Sequence, residues 1–74
     1  MQAEAVFADI MALEYHDLEH STKDEDRFIR IGMSFSGVLV VVFCERLNLN
    51  GEEVTRIISA RNADSREVDK YYEN

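Results

Sequence analysis

The chain has 74 residues, 46% of them apolar, no proline, one cysteine and a formal charge of −7 at pH 7. That length allows one small domain, residues 1–74, whose folding hides only about 60% of the unfolded chain's surface. The composition is globular rather than disordered, and one cysteine excludes an intrachain disulfide. The longest apolar run, Val38 to Cys44, is too short to span a bilayer. MQAEAVFADIMALEY lacks the basic n-region of a signal peptide, and with a single cysteine the chain is expected in a reducing cytoplasm.

Gln2 to Met11 reads as a short helix, with Ala5, Val6, Asp9 and Ile10 at helical spacing. Ala12 to Tyr15 suits a short strand, and HDLEHSTKDED, from His16 to Asp26, an acidic loop. Arg27 to Ser34 alternates, with Phe28, Arg30 and Gly32 opposite Arg27, Ile29 and Ile31. After a turn at Ser36-Gly37, Val38 to Arg46 is apolar on both faces, as a central strand covered on both sides must be. Asn48 to Gly51 reads as a hairpin loop. Val54 to Arg61 follows as a strand carrying Thr55, Ile57, Ser59 and Arg61 on one face and Arg56, Ile58 and Ala60 on the other. Its Ile57-Ile58 centre reads as buried. Asp64-Ser-Arg-Glu67 has the form of a capping box opening a helix with Val68, Tyr71 and Tyr72 on one stripe. The order predicts an α+β fold: an antiparallel sheet of three to four strands flanked by an N-terminal and a C-terminal helix.

Charge is unevenly spread. Residues 1–26 carry eight acids and one base, whereas six of the eight bases in the chain are arginines that begin only at Arg27. Arg27, Arg46, Arg56 and Arg61 fall near strand ends, where side chains can leave the core. Guanidinium forks bind phosphate bidentately and keep their charge. Pairing with surface carboxylates is the competing reading. Glu45, next to Arg46, is a candidate general base. His16 and His20 would share a metal only if helical, and their segment reads as strand end and loop, so no metal site is assigned. Cys44 continues an apolar strand and reads as a buried small hydrophobe.

Several stretches resemble the BrnT family, ribonuclease toxins of bacterial type II toxin–antitoxin pairs with a RelE-related fold. They are AVFAD (5–9), ALEYHDLEHS (12–21), RFIRIG (27–32), VLVVVFCER (38–46) and RIISARNADSREVDKYYE (56–73). The resemblance implies cleavage of RNA with translation as the target process, by chemistry that needs no metal or other cofactor. In that chemistry a base takes the ribose 2′-OH proton, cations stabilise the phosphorane and an acid protonates the leaving oxygen. Carried onto this chain, it makes Glu45 the base, Arg61 and Arg56 the phosphate stabilisers and Tyr71 the acid or a contact. Arg27, Arg46, Arg66 and Lys70 would bind the RNA.

The implied partners are RNA as substrate and a cognate BrnA-like antitoxin. The chain departs from the family pattern in two ways. It lacks the usual first strand and helix with their Lys-His-Gly, and it carries Asn62, Asp64, Val68 and Asp69 where bases are common. It is therefore expected to be a shortened, attenuated member, with part of the sheet face uncovered and available for a homodimer. The alternatives are a catalytically inactive homologue that binds an antitoxin or itself, and a structural α+β domain unrelated to toxins.

Overall fold

The computed structural model describes residues 3–73. Helix α1 (Ala3–Ala8) leads into β1 (Leu13–His16), β2 (Asp26–Ser34), β3 (Gly37–Leu47), β4 (Glu53–Asn62) and helix α2 (Ser65–Glu73). The four strands form one antiparallel sheet in chain order, β1-β2-β3-β4. The architecture is the α+β arrangement expected from the pattern.

Strand β3 is central, and its apolar run is explained by two covers. On one face Leu39, Val41 and Phe43 pack with Ala3 and Val6 of α1, joined by Phe7, Phe28 and Ala60. On the other, Val38, Val40 and Ile31 pack with Tyr71 and Val68 of α2, joined by Leu13, Ile29 and Met33. The first face is called the α1 face below, the second the α2 face. Aromatic contacts extend the α1 face: Phe7 meets Phe43 edge-on at 4.9 Å, and Phe28 stacks on Phe43 at 5.4 Å.

Helix α1 is shorter than the predicted Gln2–Met11; Gln2 lies outside the described residues. It stops at Ala8 because Asp9 turns the chain, with Ala12 N donating to Asp9 O at 3.1 Å and Met11 N to Asp9 Oδ1 at 2.9 Å. Ile10, counted with the apolar stripe, is consequently 94% exposed. The open end of α1 is closed by Arg30, whose Nε and Nη2 donate to Val6 O and Asp9 O, each at 3.0 Å. Gly32 lets α1 lie this close, since a Cβ there would stand 2.8 Å from Val6 Cγ1.

The capping box forms as the sequence predicts. Glu67 N donates to Asp64 Oδ1 and Asp64 N to Glu67 Oε1, both at 2.9 Å, so two N–H groups at the start of α2 are satisfied. Val68 and Tyr71 face the sheet, but Tyr72, placed on the same stripe from sequence, is exposed and meets the Tyr71 ring in a T-shaped contact. Asp9 ties the helices together: Tyr71 Oη donates to its Oδ2 at 2.5 Å, and Met33 N to the same atom at 2.8 Å.

Strand β4 corrects a second expectation. It pairs only with β3, so it is an edge strand, and Ile57 and Ile58 are 41% and 38% exposed. The open apolar surface includes this edge and the β3–β4 hairpin, with Leu47 and Leu49, while the apolar run of β3 is covered on both faces. Among the described residues no helix is long and apolar enough to cross a membrane.

Candidate functional site

The register between β3 and β4 decides where the arginines stand. Val42 opposes Ser59, yet its neighbour Phe43 opposes Ile57, so Ile58 is an extra, unpaired residue in a β-bulge. Simple alternation puts Arg56 and Arg61 on opposite faces. The bulge shifts the phase by one residue and puts both on the α2 face, Arg56 opposite Cys44 and Arg61 opposite Val40. Arg27 also opposes Cys44, from β2, and Arg46 follows two residues later on the same pleat. Four arginines thus share one face.

They do not converge on one point. Arg27 and Arg56 flank Cys44 from strands roughly 10 Å apart, while Arg61 stands about 13 Å further along the sheet. Arg61 is also committed. Its Nη1 and Nη2 donate to Glu67 Oε1 and Oε2 at 2.8 Å each, a bidentate pair on the residue that closes the capping box. The pair raises the Arg61 pKa and lowers that of Glu67, each chiefly through this hydrogen bonding. Arg66 is exposed on α2, and Lys70 lies over the Tyr15 ring at 5.9 Å.

Over Cys44 the α2 face is covered not by α2 but by the acidic loop between β1 and β2. Ser21 Oγ accepts from Arg27 N at 2.9 Å and donates to Asp17 O at 2.7 Å, and Thr22 N donates to Glu25 O at 2.8 Å. The loop so fixed brings Glu25 Oε1 to 3.7 Å from Arg56 Nη2. The Cys44 thiol first, then Arg56, Arg46 and Arg27, hold the Glu25 carboxyl below its ordinary range. Hydrogen bonding with the Glu25 carboxylate, then burial, push the Cys44 thiol up, and the residue is buried as expected. Nothing near Glu25 in sequence signalled this position; its face follows from the loop's hydrogen bonds.

Glu45 opposes Asp26 and Thr55 on the α1 face, across the sheet from Arg27, Arg56 and Arg61. At the end of the sheet the two sides meet in an open depression of about 420 Å³ lined by Lys23, Glu25, Asp26, Glu45, Arg46 and Glu53, among others. Hydrogen bonding with Glu53, with burial and the nearby charges of Glu53, Glu14 and Asp26, pushes the Glu45 carboxyl above its ordinary range. Tyr71 is buried, and its hydroxyl, engaged by Asp9, is pushed up to about 12. It faces Asp9 rather than the arginines. His16 ends β1, stacks on Phe28 at 5.0 Å and lies 3.4 Å from Asp26, while His20 Nδ1 is 2.9 Å from Asp17. Each imidazole has a local acidic neighbour. Among the described residues no three of His, Cys, Asp and Glu are grouped to hold a metal.

Residues 1–67 match the family model described as the ribonuclease toxin, BrnT, of type II toxin–antitoxin systems. The chain belongs to the BrnT family. No curated protein and no solved structure gives a significant match. BrnT membership brings RNA as the substrate class and an antitoxin as partner. The BrnT match ends within α2, at Glu67, and so includes the arginine-bearing strands, the acidic loop and the capping box.

Proposed function

We propose that this protein is a BrnT ribonuclease toxin that binds RNA phosphate on the α2 face of its sheet, through Arg27, Arg46 and Arg56, with Arg61 further along. The observation that carries this reading is the bulge at Ile58, which brings Arg56 and Arg61 onto the face of Arg27 and Arg46. Guanidinium forks there can donate bidentately to a phosphodiester and hold the charge that grows as the phosphorane forms.

Glu45, on the rim of the depression that also includes Arg46, is the proposed base. A carboxyl whose affinity for protons is raised by Glu53 takes the 2′-OH proton more readily than an ordinary one. The 2′-oxygen attacks phosphorus, the bond to the 5′-oxygen breaks, and that oxygen takes a proton from solvent. Tyr71 acts here as a scaffold residue, because its hydroxyl is spent on Asp9. The step routes no charge through a metal ion. Its biological reading is inhibition of translation in the cytoplasm.

A BrnA-like antitoxin is the proposed partner. A homodimer through the exposed β4 edge, where Val54, Ile57 and Ile58 stand open, is the proposed self-association. The test is growth on induction together with cleavage of purified RNA in chelator-treated buffer. Wild type arrests growth and cuts RNA, and Arg56→Ala and Arg46→Ala do neither. RNA left intact by folded wild-type protein overturns the enzyme reading.

A second reading is favoured by one specific observation: Arg56 and Arg61 already face carboxylates, Glu25 and Glu67. A chain with those pairs intact would be an attenuated or inactive homologue that keeps antitoxin binding. Antitoxin capture without RNA cleavage would support it.

A further inference from the structure

The two arginine–carboxylate pairs on the α2 face are built differently, and the difference has a use. Arg61 and Glu67 meet through two 2.8 Å hydrogen bonds, with Glu67 also accepting from Asp64 N. Drawing the Glu67 carboxylate away from Arg61 would also give up its bond from Asp64 N at the start of α2. Arg56 and Glu25 stand 3.7 Å apart, well beyond the roughly 2.7–2.9 Å of a charge-assisted hydrogen bond. Glu25 Oε1 is shielded from solvent without a hydrogen bond of normal geometry, and Arg27 Nε is in the same condition. A desolvated carboxylate oxygen therefore lies among guanidiniums without satisfying them.

We propose that Glu25 occupies, in the free protein, the position that an RNA phosphate takes at Arg27, Arg46 and Arg56, so that the acidic loop is a built-in competitor of the substrate. The inference rests on the α2 face being the RNA surface. A phosphate brings several oxygens, and two can meet one guanidinium fork. The loose carboxylate makes no such bond, so it is the weaker ligand and is displaced. Glu25 is also the movable partner. Its side chain is 30% exposed and leans on the Cys44 thiol, a weak donor, and on the distant Arg56, while Thr22 N to Glu25 O holds its backbone in the loop turn. The Arg61–Glu67 pair lacks that freedom, which limits the exchangeable site to the Cys44 end of the face.

The experiment is fluorescence-anisotropy binding of a labelled 12-nucleotide polyuridine RNA in 0.1 M salt, with circular dichroism to verify folding. Wild type is compared with Glu25→Gln, Glu19→Gln and Arg56→Ala. Glu19 is an exposed acid of the same loop, so its variant reports the effect of net charge alone. Glu25→Gln is expected to bind about two- to fivefold more tightly than Glu19→Gln, the range of one partly exposed charge pair. Inorganic phosphate should compete more strongly against RNA on Glu25→Gln than on wild type.

Equal affinities for the two glutamine variants overturn the competitor role while leaving the RNA face standing. Weaker binding by Glu25→Gln overturns it too and makes Glu25 a residue that positions the arginines. If wild type and Glu25→Gln bind no RNA, or Arg56→Ala binds as wild type does, the RNA face itself fails and the competitor role with it.

Discussion

Arg56 and Arg61 stand on the same face of the sheet because Ile58 is spliced between them as an unpaired residue. Their surroundings give them different duties. Arg56 is 59% exposed and loosely paired, so Arg56→Ala should leave stability within about 0.5 kcal/mol of wild type. RNA cleavage by that variant should fall about 100-fold, the loss typical of one preorganised donor to a developing charge. Arg61→Ala should cost about 0.2–1 kcal/mol, since its pair with Glu67 is still partly solvated. Thermal unfolding and cleavage assays on both variants measure the contrast. A large stability loss in Arg56→Ala with no loss of cleavage would reverse the assignment.

Tyr71→Phe should destabilise the fold by about 1.5–3 kcal/mol near neutral pH, because it deletes a partly buried hydrogen bond to a charged acceptor. The pH dependence follows from both partners. Hydrogen bonding from Tyr71 lowers the Asp9 pKa, so its contribution is present above the unfolded value of about 3.9 and is lost as acid titrates it below that. Tyr71 is raised to about 12, so its contribution is full below about pH 10 and disappears as pH climbs toward 12. Denaturant unfolding from pH 3 to 11 should show the two proteins converging at both ends of the range. A constant gap across pH would assign the loss to packing alone.

Gly32→Ala should cost about 1–3 kcal/mol, the range for forcing atoms into a packed core. The added methyl would meet Val6 Cγ1 at 2.8 Å, Ala12 Cβ at 3.2 Å and the Val6 Cα at 3.3 Å. Val6 is fully buried and stiff at its branch point, so the helix has to shift rather than the side chain. Urea denaturation is the measurement, and a stability equal to wild type would mean that α1 is free to slide.

Glu45→Gln should stabilise the protein at pH 8 and do nothing at pH 4. Its carboxyl is raised by hydrogen bonding with Glu53, so ionising it in the fold works against the neighbouring negative charges. The penalty is absent below the unfolded value near 4.3 and grows as pH rises through the folded one. The gain should be under about 1 kcal/mol at this solvated rim. Melting temperatures at the two pH values test it, and RNA cleavage by the same variant tests the proposed base independently.

The elements were legible because their residues alternate or cap in ways that local chemistry dictates. VLVVVFC, apolar on both faces, suits a strand covered twice, and Asp64 to Glu67 has the form of a helix start. What escaped sequence reasoning depends on pairing. No glycine marks Ile58 as a bulge, so counting residues put Arg56 on the wrong side of the sheet. Ile57 and Ile58 look like core until the sheet order makes β4 an edge. Glu25 reads as part of an acidic loop and Asp9 as one position of a helical stripe, because their contacts with Arg56 and Tyr71 cross long stretches of chain. The arginines were visible as a group; their common face and their individual partners were not.

The bond from Tyr71 to Asp9 spans 62 positions of the chain. In the order of synthesis, the aspartate is made long before the tyrosine that binds it. Until then the second face of the valine strand has no helix to cover it, and the turn after α1 lacks one of its three donors. Contacts of such sequence separation form late, and domains fold as units as the chain emerges. A ribosome making this protein therefore carries a sheet with one face uncovered until Tyr71 has been added, and the fold closes only once α2 is free to pack.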